Sequence, residues 1–511
     1  MTYSQWILFI LVIQVVHFLG TYKLYQRAGR EAWEALVPFY SAVVMMKIIN
    51  RPSWWVFLLV IPVVNLLMFP VIWVETARSF GHNSTKDTWL AILTLGFYNF
   101  YLSYGTDSSY INDRSLKPRT EVGEWVSSIV FAIVAATIVH TYFFQPFTIP
   151  TSSLEKSLLV GDYLFVSKIH YGARVPMTPI AAPMVHDTIP LVGVRSYAKK
   201  PSIPYFRFPG FESIERNDIV VFNWPADTVE QFFKRPDRKI IKPIDKKSNY
   251  VKRAVGMPGD LLEVRDGYVF INGEQNVLPS RAHLQFYYDV DTKGQQLSGN
   301  AIVNRYHVRE GYFNPNDKKY VLNLDQDNLK KVQANPLVVS TERRIQPAGK
   351  GEQGIYPTKD YGWNNDNYGP ILIPSKGMVI SLTPKNLKIY AKVIKDYEGH
   401  DLTTNGDQVY IDGALATEYT VEQDYYWMMG DNRQASEDSR YWGFVPFDHV
   451  VGKPVFIFLS LDANKSGFNK IRWDRVFTTV AGEGPRTSYL PHFLVLLALW
   501  YGVNKYRKRG K

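Results

Sequence analysis

The chain has 511 residues, 46% hydrophobic and 15% aromatic, with 58 Lys and Arg against 47 Asp and Glu for a net charge of +11. That length predicts roughly two to four domains at about 100–200 residues each. The absence of cysteine excludes disulfides, Cys-ligated zinc, iron–sulfur clusters and thiol nucleophiles.

Taken in chain order, apolar runs crowd the first 150 residues: Tyr3–Leu19, Trp54–Val74, Trp89–Leu102 and Trp125–Phe144, with a fifth at Tyr489–Val503. Only the second and fourth reach the roughly 20 residues that cross a bilayer as one unaided helix. Trp54, Trp55, Trp125, Tyr489, Trp500 and Tyr501 stand at run ends, where amphipathic aromatics mark a membrane–water boundary. Ala35–Ile49, interrupted by Pro38 and Lys47, reads as interfacial or re-entrant. Basic residues flanking spans stay in the cytoplasm. Lys23, Arg27 and Arg30, then Arg114, Lys117 and Arg119, then Lys505, Arg507, Lys508, Arg509 and Lys511 are all satisfied by five crossings, with the N-terminus outside and the body from about Gln145 to Thr487 outside. The first run lacks the basic leader and small-residue cleavage site of a removable signal. Part of the positive charge is thus an orientation signal, and no nucleic-acid partner is invoked.

Within the body, Tyr163–Lys168, Asp218–Asn223, Leu261–Val264, Tyr268–Ile271, Met378–Leu382 and Val455–Leu459 read as strands. Asp266-Gly267, Asn272-Gly273, Asn405-Gly406 and Asp412-Gly413 supply hairpin turns between them. The Pro-rich stretch Val175–Pro209 reads as an extended arm, and the more polar stretch from 273 to 375, with a helical patch near Asn328–Ala334, as an insertion. The expected organisation is an N-terminal multi-helix membrane domain (1–106), a cytoplasmic linker (107–122), a transmembrane helix (123–144) and a mainly antiparallel β body in two parts (145–272 and 376–470). An inserted α+β second domain (273–375) divides those parts. A linker (471–488), a C-terminal transmembrane helix (489–503) and a basic cytoplasmic tail (504–511) follow, making a mixed membrane protein.

Hydrolysis without metal or thiol chemistry needs a hydroxyl or carboxylate nucleophile, a base and an oxyanion site. The ten histidines show no ligand spacing, so no metal and no cofactor is expected. Thr151, Ser152 and Ser153 follow Pro150 directly after the fourth run, which composition alone would assign to a cap or turn. Three further blocks accompany them: Arg216-Asn-Asp-Ile-Val-Val-Phe-Asn-Trp-Pro225, Asn249-Tyr-Val-Lys-Arg-Ala-Val-Gly-Met-Pro-Gly-Asp260, and Met428-Met-Gly-Asp-Asn-Arg-Gln-Ala-Ser-Glu-Asp-Ser-Arg-Tyr-Trp-Gly-Phe-Val-Pro446.

These four blocks, in this order after an apolar span, closely resemble bacterial type I signal peptidase, over about residues 144–225, 248–273 and 376–460. The resemblance implies a membrane-bound serine endopeptidase that removes signal peptides from exported preproteins at small-residue sites and needs no cofactor. By motif position, Ser153 matches its nucleophile and Lys252 its general base. Thr151 with the Ser153 N–H matches the oxyanion hole, and Ser436 the serine that positions the lysine. Asp431, Asp438 and Arg440 match the supporting charges, while Phe147, Ile149, Tyr250 and Val251 match substrate-pocket walls. The implied location is the bacterial inner membrane, with the body on the extracytoplasmic side and the C-terminus in the cytoplasm. The implied partners are preproteins and the lipid bilayer, with the translocation machinery left open.

The residues agree with that chemistry. A lysine base needs desolvation to bring it down from an ordinary pKa near 10.4, and an alternating strand points Lys252 away from Val251 and Arg253. Two departures keep alternatives open. Leu154-Glu155-Lys156 replaces the usual Met-x-Pro after the nucleophile, and Ser153-Leu-Glu-Lys156 fits Ser-x-x-Lys, the start of the penicillin-binding acyltransferase set. The 1–106 extension is similar to a small membrane domain of unassigned function. A catalytically silent homologue serving as a scaffold at the export machinery is a third reading.

Overall fold

The computed structural model describes residues 2–228 and 240–509. Positions 229–239 of the first part of the β body, the side chains of Lys508 and Arg509, and Lys511 lie outside the described residues. The chain forms two units. One holds Met1–Phe143 with Ala173–Phe208 and Ile241–Lys246; the other holds Phe144–Gly172, Pro209–Ile240 and Lys247–Lys511.

In the first unit, helix Tyr3–Arg27 opens on a capping box in which Thr2 Oγ1 accepts from Gln5 N and Gln5 Oε1 accepts from Thr2 N. The helix runs past the apolar stretch expected to end at Leu19. It stops where Arg27 donates to the carbonyls of Leu102, Ser103 and Thr106. Its 25 residues span about 37 Å, enough for a hydrocarbon core of about 30 Å.

The second apolar run is not the unbroken span expected of it. A single-turn helix at Ser53–Trp55 leads to Val56–Val60, and a new helix covers Val64–Ser79. Pro62 disfavours a helical residue before it, and Ile61 is accordingly extended (ψ 117°) while Val63 takes φ 69°. The third run likewise divides into Thr85–Leu93 and Tyr98–Tyr104, around Leu95 and Gly96 at positive φ. Among the described residues, Tyr3–Arg27 and Glu121–Phe143 are the two helices long and apolar enough to cross a membrane. Leu490–Arg509 forms a 20-residue helix whose end is basic.

The Pro-rich arm belongs to this first unit. It folds back on itself through antiparallel bridges Arg174–Arg207, Ala181–Tyr197 and Thr188–Arg195. Tyr197 and Ala181 pack against Val63, and Trp6 Nε1 donates to the Ser202 carbonyl at 2.9 Å.

The second unit is built on antiparallel strands. Its largest sheet runs in the order Phe144–Thr148, Asp162–Ser167, Val450–Ser460, Ile219–Asn223, Asn249–Gly256, Tyr425–Met429, Val445–Pro446, with Thr478–Thr479 added beside Val450–Ser460. Asp266-Gly267, both at positive φ, turns Leu261–Arg265 into Tyr268–Ile271, the geometry a tight hairpin demands. Segment 273–375 divides. Strands Phe286–Asp291, Gly311–Asn314, Lys319–Leu324 and Ser340–Arg343, with helix Gln326–Gln333, enclose a core of their own around Val290, Tyr306, Leu322 and Val332. Strand Tyr368–Leu372 instead pairs with Leu261–Arg265, and Tyr368, Ile371 and Ile373 join Leu262, Trp427 and Phe444 in the main core.

Candidate active site

Ser153 lies in the turn-rich loop joining strands Phe144–Thr148 and Asp162–Ser167 and is 9% exposed. Leu154 and Leu158 pin that loop into an apolar cluster with Ile149, Leu164, Ile457 and Val480. Thr151, before the pinned residues, is exposed. Lys252 sits on Asn249–Gly256, with Lys252 opposite Val220 and Val251 opposite Val221. The pleat therefore gives Lys252 and Tyr250 one face and Val251 and Arg253 the other.

On the first face, Lys252 is 3% exposed, and burial lowers its amine to about 8 even though Asp438 and Glu437 pull the other way. Its Nζ lies 5.6 Å from the Tyr250 ring centroid, and Tyr250 packs among Phe222, Trp224 and Trp442. On the second face, Arg253 forks onto Asp431 through Nε and Nη2 at 2.8 and 2.6 Å. Ser157 Oγ donates to the same carboxylate. Burial opposes ionisation of Asp431, but Arg253 and then Ser157 outweigh it and hold the carboxyl below its ordinary value. Val251 packs against both the cluster holding Ile149 and the cluster holding Phe147. Ile149, 4% exposed, points into the core beneath the loop.

The loop after strand Tyr425–Met429 brings in the rest. Asn432 N donates to the Ser153 carbonyl at 3.1 Å and Asn432 Nδ2 to the Ser152 carbonyl at 3.2 Å. Gly430 has no room for a side chain, since a Cβ there would collide with Ser436 Oγ and the Ser153 carbonyl oxygen. That shared collision places Ser436 beside the Ser153 backbone. The Ser436 hydroxyl is buried without a hydrogen-bond partner among the described residues. Asp438 and Arg440, both fully buried, form a two-point ion pair at 2.8 and 2.7 Å, and Arg440 also donates to the carbonyls of Asn365 and Arg433. Burial disfavours the Asp438 anion, but Arg440 more than compensates and the carboxyl stays below its usual value.

The loop 430–440 thus touches the Ser153 backbone through Asn432 and Gly430 and strand Asn249–Gly256 through Asp431, while Thr151 stays exposed at the start of its loop. At pH 7 a group titrating near 8 is about one-tenth deprotonated, whereas an ordinary lysine is below about one in a thousand. Lys156 occupies a different setting, where its Nζ donates to the His307 carbonyl at 2.9 Å. Among the described residues no cluster of His, Asp and Glu could hold a metal. Sequence reading passed over Arg253, Ser157, Gly430, Asn432 and Glu437. Arg253 was findable, since the residue after a buried strand lysine faces the opposite side and there needs its own carboxylate. Asn432 and Gly430 act through backbone proximity, which leaves no pattern in the chain.

Residues 122–337 and 377–459 match the family described as signal peptidase, peptidase S26. The chain belongs to the S26 signal peptidase family. This S26 match covers Phe147 through Tyr250, Val251 and Lys252, and resumes in time to include Asp431, Ser436, Asp438 and Arg440, leaving 338–376 unmatched. Residues 33–113 match a family of unknown function. The chain is 24% identical over 380 residues to signal peptidase I of Haemophilus influenzae, covering 71% of this chain and 78% of the relative. It is 25% identical over 384 residues to the same enzyme of Buchnera aphidicola from Acyrthosiphon pisum, covering 72% and 90%. For signal peptidase I of Rickettsia felis the identity is 30% over 272 residues, covering 50% and 87%.

Proposed function

We propose that this S26 peptidase is a membrane-bound serine endopeptidase that removes N-terminal signal peptides from exported preproteins at Ala-x-Ala-like sites through a Ser153/Lys252 dyad. The observation that carries the reading is the buried Lys252 amine titrating near 8, a base made by desolvation. Neutral Lys252 takes the Ser153 proton as Oγ attacks the scissile carbonyl. The Thr151 hydroxyl and the Ser153 N–H receive the oxyanion. Lys252 returns the proton to the leaving amine, and the resulting acyl-enzyme is hydrolysed by water activated by the same amine. The Ser436 hydroxyl, without a hydrogen-bond partner among the described residues, is suited to steer the Lys252 amine, and the Asp431–Arg253 and Asp438–Arg440 pairs brace the two sides of the site.

Among the described residues, strand Phe144–Thr148 is the edge of its sheet, paired with Asp162–Ser167 alone. It can therefore take a preprotein as an added strand, with Phe147, Tyr250 and Val251 shaping the pockets for small side chains and Ile149 packed in the core behind them. Ser153 is nine residues past Phe144, at most about 30 Å of chain from the end of the apolar helix, which suits a scissile bond just outside a membrane. The basic flanks favour the inner membrane, with the β unit outside, the C-terminus in the cytoplasm, and preproteins emerging from the translocation machinery as substrates.

Ser-x-x-Lys chemistry is the less favoured reading, because the Lys156 amine is engaged by the His307 carbonyl. Preprotein cleavage in detergent decides between them. Ser153→Ala and Lys252→Ala are expected to abolish cleavage while Lys156→Ala retains it. Full activity of Lys252→Ala with loss in Lys156→Ala would reject the dyad. Folded Lys252→Ala and Ser153→Ala proteins that match a wild type without any cleavage would support a silent scaffold instead.

A further inference from the structure

We infer that the sheet module over residues 286–343 is a positioning element for the nucleophile: its His307–Glu310 turn clamps the loop on both sides of Ser153. The inference rests on Ser153 being the nucleophile.

The loop from Thr151 to Leu158 contains no proline and carries Lys156 at φ 72°, a left-handed conformation that a lysine seldom adopts. Three polar contacts hold the loop. The Ser152 hydroxyl bonds the Glu310 carboxylate. Arg309 Nε donates to Glu155 Oε1 at 2.7 Å, where Glu155 is only 2% exposed. Lys156 Nζ donates to the His307 carbonyl at 2.9 Å. The residues held are those immediately before Ser153 and two and three positions after it, and all three partners lie within four consecutive residues.

The turn is itself anchored. Tyr306 and Val308 are buried in the module's core, Glu310 Oε2 accepts from the Tyr287 hydroxyl at 2.8 Å, and the Glu310 carbonyl accepts from Asn323 N. A second line returns to the same place. Asn323 Nδ2 donates to Asn432 Oδ1 at 2.7 Å, and Asn432 is the residue whose N–H holds the Ser153 carbonyl. The Ser153 backbone is thus held from its neighbours by the module directly, and through its own carbonyl by Asn432, which the module's Asn323 orients. A nucleophile held this way keeps its Oγ aligned with the base, and a small misalignment costs rate more than binding.

The test is charge reversal across the Glu155–Arg309 pair in the full chain in detergent, measuring preprotein cleavage, its pH profile and thermal midpoint. Glu155→Arg and Arg309→Glu are each expected to lower kcat by about tenfold or more with KM within about threefold of wild type. The alkaline rise in activity should stay where it is, because the Lys252 surroundings are untouched. The double reversal is expected to recover most of the lost rate. Single variants with wild-type kcat, losses confined to KM, or a double variant no better than the singles at unchanged thermal midpoint would overturn the inference. The dyad is judged separately by Ser153→Ala: if that variant still cleaves, the nucleophile assignment fails whatever the reversal gives.

Discussion

The amine of a lysine that is only 3% exposed as a residue must either meet a carboxylate at ion-pair distance or give up part of its basicity, and Lys252 does the second. The drop from an ordinary 10.5 to about 8 corresponds to about 3 kcal/mol. Between those two values the folded chain holds fewer protons than the unfolded one, so stability rises with pH across that window, and the full penalty applies below about pH 8. Lys252→Met, which removes the charge and fills a similar volume, is therefore expected to be inactive yet to unfold at a higher temperature than wild type at pH 7. The gap should close as the pH approaches 10.5, and calorimetric midpoints that coincide at pH 7 would contradict it. Catalysis should rise along a limb centred near pH 8 as the amine deprotonates. The Glu437 carboxyl, raised above its ordinary value chiefly by burial, still favours the Lys252 ammonium when ionised. Glu437→Gln withdraws that support, so the limb should move to lower pH. A limb unmoved or shifted upward would refute this account of the base.

The loop after Tyr425–Met429 and the loop carrying Ser153 meet through a gap that only glycine fits. At Gly430, a methyl group would press on the Ser153 carbonyl, a backbone atom that cannot swing aside, and on Ser436 Oγ. Gly430→Ala is expected to reduce cleavage by about a hundredfold, as a displacement of about 1 Å at a reacting group does, with expression as a folded protein retained. Near-normal turnover would show that the loop relaxes freely. The strands and hairpins were legible in advance because alternation and an Asp-Gly turn are local: Asp266-Gly267 adopts the positive φ angles that its two residue types favour. Apolar length was a poorer guide. Trp54–Val74 has the composition of a span, but Pro62 interrupts it, while Tyr3–Arg27 is longer than its apolar stretch because Arg27 finds three carbonyls to end on.

Across the whole molecule, sequence-distant segments share one site. Residues 147–157, 249–253, 307–310 and 428–440 all bear on Ser153 or Lys252, and the Pro-rich arm at 173–208 belongs with the N-terminal helices instead of with the strands on either side of it. The stretch expected as one insertion is likewise shared out: a module with its own core up to Arg343, then a strand returned to the main core at Tyr368.

By itself the amino-acid order determined the chemistry available and the secondary structure of the β unit. It excludes thiols, and its four motif blocks carry the resemblance that implies Ser153, Lys252 and the acidic–basic block, while the strands are legible because periodicity is a property of near neighbours. Tertiary structure alone decided how basic Lys252 is, since desolvation sums over every segment packed around the amine. It also decided that the Arg253–Asp431 pair spans 178 residues, and that a turn about 150 residues downstream contacts the loop carrying Ser153, because contacts across such separations exist only after the chain has closed on itself.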